Sequence, residues 1–537
     1  MTNSEIILCS DVKLDRNYEN VLSYNEEQMV SLCRSKAIYT GTEYKIVGVR
    51  ENKINVSARY EDCIYANYIA FINRKYGNKW FFAWVTDVKL LNPATTEITF
   101  QIDVFSTWYQ RFTYNQAFIE REHVDDDTIG LHTLPENLET GEYVVNYENI
   151  NKQFNILDII VASNIDTAVD GQGELVGGHV YGGTYNKIKQ GYKYYYFSNN
   201  ASSSLNDILK KIDDAGYADN INFMFLAPFN SFNKDDDNII DNGKVKEDYL
   251  VKYMDWENVI TGDTAPTKLR TLDGYQPRNN KLLTFPFCYL RVSNNNGGDA
   301  IFHFEKFADN EANKCYFQFI CAICPGMSIN LFPLSYDNIT NNFNECLPAG
   351  KFPICGFSSD VYINWLTQNG VNIVSSLVGG ALQTAVGVGG MVSGAGGVNM
   401  GSMAASGLGT IKDTLTTIYE HSFNPIQSRG ATNTGDVKTS ANINTFTAYG
   451  MSIKEEYARV IDQYFSRFGY QVNTVKTPNL NSRLHFNFIK VGGQDELVHG
   501  NIPASALEEI NGVFRKGVTI FHDYDSIGNY TINNPIV

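Results

Sequence analysis

Residues 65–105 read YANYIAFINRKYGNKWFFAWVTDVKLLNPATTEITFQIDVF. Three short runs of aromatic and β-branched residues lie in it, at 65–72, 80–85 and 99–105. Turn residues separate them, Gly77 and Asn78 first and then Leu91 to Thr95 around Pro93. Runs of this kind, punctuated by Gly, Asn and Pro, predict a hairpin meander. In the third run Thr99, Gln101 and Asp103 alternate with Phe100, Ile102 and Val104, which predicts one wet face and one buried face.

The same texture returns over 281–335 in KLLTFPFCYLRV, AIFHFEKF and KCYFQFICAI, parted by turns of Asn with Gly or Glu. The expected fold is therefore mainly β, multi-domain, with two barrel-like sheets of one kind and a few packed helices. Between the two β regions, residues 125–144 (DDDTIGLHTLPENLETGEYV) are acidic and rich in turn formers, which marks a boundary and a solvated loop. The middle region carries strands near Phe154–Val161, Tyr192–Phe197 and Asn222–Phe229 and a helix over Ser203–Ala215.

Two helices are expected near the end. Over Glu456–Phe468, the residues Tyr457, Val460, Ile461, Tyr464, Phe465 and Phe468 fall at helical spacing, and Gly469 supplies the stop. Over 505–516, Ser505 and Glu508 have capping-box spacing, Leu507, Ile510, Val513 and Phe514 face inward, and Gly517 closes the helix before the strand Val518–Phe521. A chain of 537 residues exceeds one core. The expected division is a first β domain at 1–130, a middle domain at 131–280, a second β domain at 281–350 with 451–537, and an insert at 351–450.

The insert is unlike the rest. No charged side chain occurs between Asp360 and Lys412, and twelve glycines fall between Gly370 and Gly409. Val374, Leu377, Val378, Leu382 and Val386 form one helical stripe, and after a glycine-rich tip Leu408, Ile411, Leu415 and Ile418 form a second. A helical hairpin follows from that spacing. Each glycine costs a helix about 1 kcal/mol relative to alanine, so neither arm is stable alone in water. In lipid the backbone must satisfy its own hydrogen bonds and small residues let helices approach closely. The segment suits a conditional membrane arm; a glycine-rich linker, or a hairpin buried at a subunit contact, is the other reading.

The net charge of −16 argues against binding nucleic acid through a basic surface, while an acidic wall lets DNA pass without sticking. The opening MTNSEIILCSDVKLDRN has neither a basic start nor an apolar core, so no secretory signal is expected. Nine cysteines without framework spacing fit reduced thiols in a cytoplasmic assembly compartment. Cys321 and Cys324 lack the second pair that a metal site needs. His123, Asp125, Asp126, Asp127 and His132 have hydrolase residue types but sit in the acidic loop, and nothing in the sequence around Glu139 and Glu142 suggests a sugar cleft. No catalytic group, metal or cofactor is expected.

Several stretches resemble the tail-knob, or distal tail-tube, protein family of small short-tailed bacteriophages with protein-primed linear genomes. They are VFSTWY at 104–109, FIEREHVDDD at 118–127, LPENL at 134–138, GEY at 141–143, IDQYF at 461–465, FGY at 468–470, KTPNLN at 476–481, GNIP at 500–503, GVTIFH at 517–522 and IGNY at 527–530. They follow the family's order at both ends of the chain. The resemblance implies a homo-hexameric ring whose β domains surround a DNA-conducting channel in the virion tail, in contact with other tail proteins. It also implies long hydrophobic loops that plug the channel before ejection and then perforate the host membrane, at the place where this chain carries its insert. Val374, Leu377, Val378, Leu382, Val386, Met391, Leu408 and Ile411 are the residues expected to enter the membrane. The insert departs from the pattern in being rich in Gly and Ala rather than bulky residues. A receptor-binding role for the tyrosines around Tyr181–Tyr196, toward sugars or teichoic acid, and a tail-associated hydrolase are the alternatives.

Overall fold

Strands form where β-branched and aromatic residues alternate with polar ones, and the computed structural model is mainly β with five short-to-medium helices among its described residues. The structure describes residues 4–151, 259–348 and 446–537 apart from short breaks (43, 48–51, 74–78, 296 and 323–327), and only strand backbone between 157 and 258 and at 354–356. Contacts divide the chain into two compact units. One comprises Met1–Glu142, Gly274–Phe287 and Ile453–Val537, and the other comprises Tyr143–Asp273 and Cys288–Ser452.

In the first unit the meander appears as expected. Strands Tyr68–Asn73, Trp80–Asn92 and Thr95–Ile102 pair antiparallel, with Phe71 opposite Phe81 and Val85 opposite Phe100. They are the centre of a seven-stranded sheet in the order Ala37–Gly41, Ser4–Cys9, Tyr68–Asn73, Trp80–Asn92, Thr95–Ile102, Lys53–Val56, Tyr44–Val47. The sheet curls, because Tyr44 on its last strand meets Phe71 on its third at 6.3 Å between ring centroids. Its inner face holds Ile6, Leu8, Ile54, Ile69, Phe71, Ile98 and Phe100. Its outer face presents Ile7, Tyr68, Phe82 and Trp84 to a second core.

That second core is closed by helices α1 (Glu26–Ser35), α3 (Val104–Trp108) and α5 (Ala504–Lys516), while α2 (Tyr60–Cys63) packs on the seven-stranded sheet. A five-stranded sheet completes it, in the order Asn20–Leu22, Val518–Phe521, Phe486–Val491, Ala117–Glu122, Tyr470–Lys476. Distant pieces of chain are thus interleaved, with 117–122 lying between 486–491 and 470–476.

Three local expectations change. The strand expected to run to Phe105 ends at Ile102, because Asp103 caps α3. The Asp103 carboxylate accepts from the Ser106 amide at 3.0 Å, the Ser106 hydroxyl at 2.7 Å and the Tyr68 hydroxyl at 2.9 Å, so it is buried rather than wet. Helix α4 (Glu455–Phe468) buries Ala458, Ile461, Asp462 and Phe465, whereas Val460, expected inward, is 67% exposed. In α5 the capping box does not form: the cap is Pro503, which has no side-chain donor or acceptor, and Glu508 pairs with Arg515 at 3.0 Å. The two glycine stops hold. Gly469 ends α4 at φ 64°, where a Cβ would sit 1.9 Å from the Glu122 carbonyl oxygen, and Gly517 ends α5 at φ 93°.

In the second unit a four-stranded sheet runs Tyr143–Asn151, Phe446–Ile453, Cys288–Ser293, Asp299–Phe302. Another runs Asp255–Ile260, Phe317–Ala322, Asn330–Tyr336, Ile339–Asn341, with Leu347–Pro348 added beside the third strand. A third has the order Ile240–Asp241, Lys193–Phe197, Leu157–Ser163, Ile221–Pro228, Ile354–Gly356. Phe302, Phe307, Phe317 and Tyr336 pack edge to face, Phe307 and Tyr336 at 4.8 Å. Back in the first unit a fourth expectation changes: the strand expected at KLLTF is instead a 3-10 turn, Asn280–Leu283. The expected helix at Ser203–Ala215 and Cys324 lie outside the described residues.

Candidate functional site

The eight apolar residues expected to enter a membrane, Val374 to Ile411, lie outside the described residues. Their attachment is described on both sides. Ile354–Gly356 pairs antiparallel with Ile221–Pro228, placing Ile354 opposite Phe225 and Gly356 opposite Phe223. The chain returns in Phe446–Ile453, a strand paired on both edges within its sheet. There Gly450 lies under the Tyr147 ring so closely that a Cβ would come within 2.3 Å of it, and the Tyr147 hydroxyl donates to the Thr267 carbonyl at 2.5 Å. Both roots of the insert are therefore fixed by backbone pairing. Among the described residues no helix is long and apolar enough to cross a membrane.

The acidic loop of the first unit differs from expectation. Glu136 has a side chain only 1% exposed and bridges Arg121 and Lys281, while the Gln471 amide donates to it at 2.9 Å. Burial pushes the Lys281 ammonium below its ordinary range and Glu136 pulls it back up. Asp127 accepts from the Tyr470 hydroxyl at 2.7 Å and the Asn280 amide at 3.0 Å, and burial raises its carboxyl above the ordinary range. Asp462 is wholly buried and gathers Tyr275, Arg278 and Asn279. Asp125 and Asp126 remain exposed, Asp126 turned onto Thr128 at 2.6 Å. The loop is a strap bound down by buried charges, and the sequence reading missed Glu136, Lys281 and Asp462. Helical spacing carried a signal for the last, since Ala458, Ile461, Asp462 and Phe465 stand at i, i+3, i+4 and i+7.

Geometry also answers the hydrolase question for this cluster. His123 and Asp127 line a cavity of about 290 Å3. The Phe488 amide donates to His123 Nδ1 at 2.8 Å, so Nε2 carries the proton toward the Ser466 carbonyl at 3.1 Å. Burial lowers its pKa to about 3. With both nitrogens committed and the ring neutral, His123 has no lone pair to offer as a base. His132 points to the Asp126 carbonyl at 2.8 Å. Among the described residues no group of His, Cys, Asp and Glu is arranged to hold a metal.

Residues 252–535 match the family model for the C-terminal domain of the tail knob protein gp9 of Bacillus phage phi29. The chain belongs to this tail knob family. Residues 2–113 also match the N-terminus of the caudoviral major tail protein. Tail knob protein gp9 of Bacillus phage phi29 is 24% identical, with 100% of this chain and 99% of the relative aligned, and its counterpart in Bacillus phage B103 is 22% identical over the same shares. The tail knob protein gp12 of bacteriophage C1 has the same fold, with a TM-score of 0.64 at 15% identity over 99% of this chain and 100% of that one. This tail knob protein is thus a structural component of the virion tail.

Proposed function

We propose that the chain forms the distal, hexameric, DNA-conducting tube and knob of the tail. Its hydrophobic insert plugs the channel before ejection and then penetrates the host membrane. The observation that carries this reading is a stretch without charge from 361 to 411, in a tail knob protein of net charge −16, rooted at both ends in paired strands. Segments 1–130, 281–350 and 451–537 build the tube in this reading, 131–280 builds the knob, and 351–450 is the loop. An acidic wall repels the passing phosphates at short range and keeps DNA from adhering. The chain performs no catalysis in this role; it meets the neighbouring tail proteins, the DNA in transit and the host membrane.

Dye-filled liposomes mixed with the purified chain test the membrane step. Wild-type protein is expected to release dye at neutral or acidic pH. Leu377→Asp with Leu382→Asp is expected to abolish release, because each charge at mid-membrane costs about 2.5–3.5 kcal/mol on insertion. Intact liposomes with the wild-type chain at both pH values would remove the membrane role and leave the tube role standing.

A further inference from the structure

The cavity beside His123 is also lined by Arg278 and Arg483. Among the described residues Arg278 makes only long side-chain bonds, Nε to Asp462 at 3.4 Å and a terminal nitrogen to the Thr531 carbonyl at 3.4 Å. Asp462 scarcely needs it. That carboxylate already accepts from the Tyr275 hydroxyl at 2.6 Å, the Asn279 side-chain amide at 2.7 Å and the backbone amides of Arg278 and Asn279 at 3.1 Å. Four shorter bonds fill the roughly four lone-pair sites of a carboxylate. Arg483 donates from Nε to the Val124 carbonyl at 3.2 Å and from a terminal nitrogen to the Asn534 carbonyl at 3.4 Å. It forms no ion pair among the described residues, although it is partly buried.

Each guanidinium has about five N–H groups, so most donors on both arginines have no protein acceptor among the described residues. Asp127 is the carboxylate on the lining, and both of its oxygens are taken by Tyr470 and Asn280. His123 is neutral. Asp127 on the lining and Asp462 beside Arg278 balance the two arginines in number, but the oxygens of both carboxylates are filled by shorter bonds, and Arg483 has no carboxylate within ion-pair distance among the described residues. A partly buried cation without an ion-pair partner, as Arg483 is among the described residues, costs free energy that an anion recovers. The volume of about 290 Å3 exceeds a bare anion, given roughly 30 Å3 per water, and leaves room for a substituent behind the charged group.

We propose that this cavity is a binding site for a small oxyanion, the carboxylate of an acidic side chain or a phosphate ester, held by Arg278 and Arg483. Both groups match the planar donor fork of a guanidinium. Titration calorimetry of the full chain with inorganic phosphate and with acetate, at an ionic strength fixed with chloride, tests it. Saturable binding of at least one anion is expected. Arg278→Gln is expected to weaken it about tenfold or more, and Arg483→Gln, which breaks no ion pair among the described residues and leaves Asp462 its partner, is expected to weaken it likewise. Arg278→Lys, which keeps the charge and loses the fork, is expected to fall between wild type and Arg278→Gln. Phosphate alone binding identifies an ester as the source, and acetate alone identifies a side chain. Neither anion binding, or Arg278→Gln binding as well as wild type, overturns the site.

Discussion

Glu136 shows how much one carboxylate decides in this molecule. It sits in a segment without helix or strand, yet it neutralises Arg121 from one sheet strand and Lys281 from the turn at Asn280–Leu283. Removing one partner of a buried ion pair leaves its counter-charge uncompensated. Glu136→Gln is expected to destabilise the first unit by about 3–5 kcal/mol, read as a lower urea midpoint. An unchanged midpoint would mean that the strap is not held by charge. His123 makes a separate pH prediction. Its pKa falls from 6.5 to about 3 on folding, so between those values the unfolded chain binds the proton that the folded chain refuses. Its contribution is complete above pH 6.5 and is lost as pH falls toward 3, by up to ~1.4 kcal/mol per pH unit. Asp127 and Asp103, raised by burial, act with the opposite sign and favour the folded state on acidification. The stability difference between wild type and His123→Gln is therefore expected to shrink steadily in urea titrations from pH 6.5 downward, and a constant difference would count against a neutral buried His123.

At the scale of elements, α4 separates hydrophobic pattern from burial. Its apolar residues span more than one face, and the core takes the face of Ala458, Ile461, Asp462 and Phe465. Phe465 meets Phe287 at 5.8 Å and Tyr470 at 5.3 Å, while Val460 stands in solvent. Phe465→Ala is expected to cost about 3–5 kcal/mol, whereas Val460→Lys is expected to stay within about 0.5 kcal/mol of wild type. Equal losses in thermal unfolding would show that both valine and phenylalanine are core residues. The meander, the ends of α4 and α5 and the closing strand were legible because each rests on local signals: alternation, helical spacing and a glycine with positive φ. The burial of Asp103 and the 3-10 turn at Asn280 were not, because Tyr68 and Glu136, which meet Asp103 and Lys281 there, are distant in sequence.

For the whole molecule, the insert is rooted in strands that are paired independently of it. Replacing residues 361–440 with a Gly/Ser linker is expected to leave circular dichroism and thermal unfolding close to wild type, because loop length adds little closure entropy. Under the proposed function it is also expected to show six-fold rings in negative-stain images and to lack the liposome leakage expected of the wild-type chain. Collapse of the fold on replacement would assign the insert to the core instead. Sequence by itself determined the β class, the helix stops and the charge-free insert that marks this tail knob protein, since these follow from composition and short-range spacing. Which acids and bases go inside was decided only by the tertiary structure. A charged or polar group can leave water only where partners converge on it, and for Glu136, Asp462 and the neutral His123 those partners come from segments as much as 365 residues away.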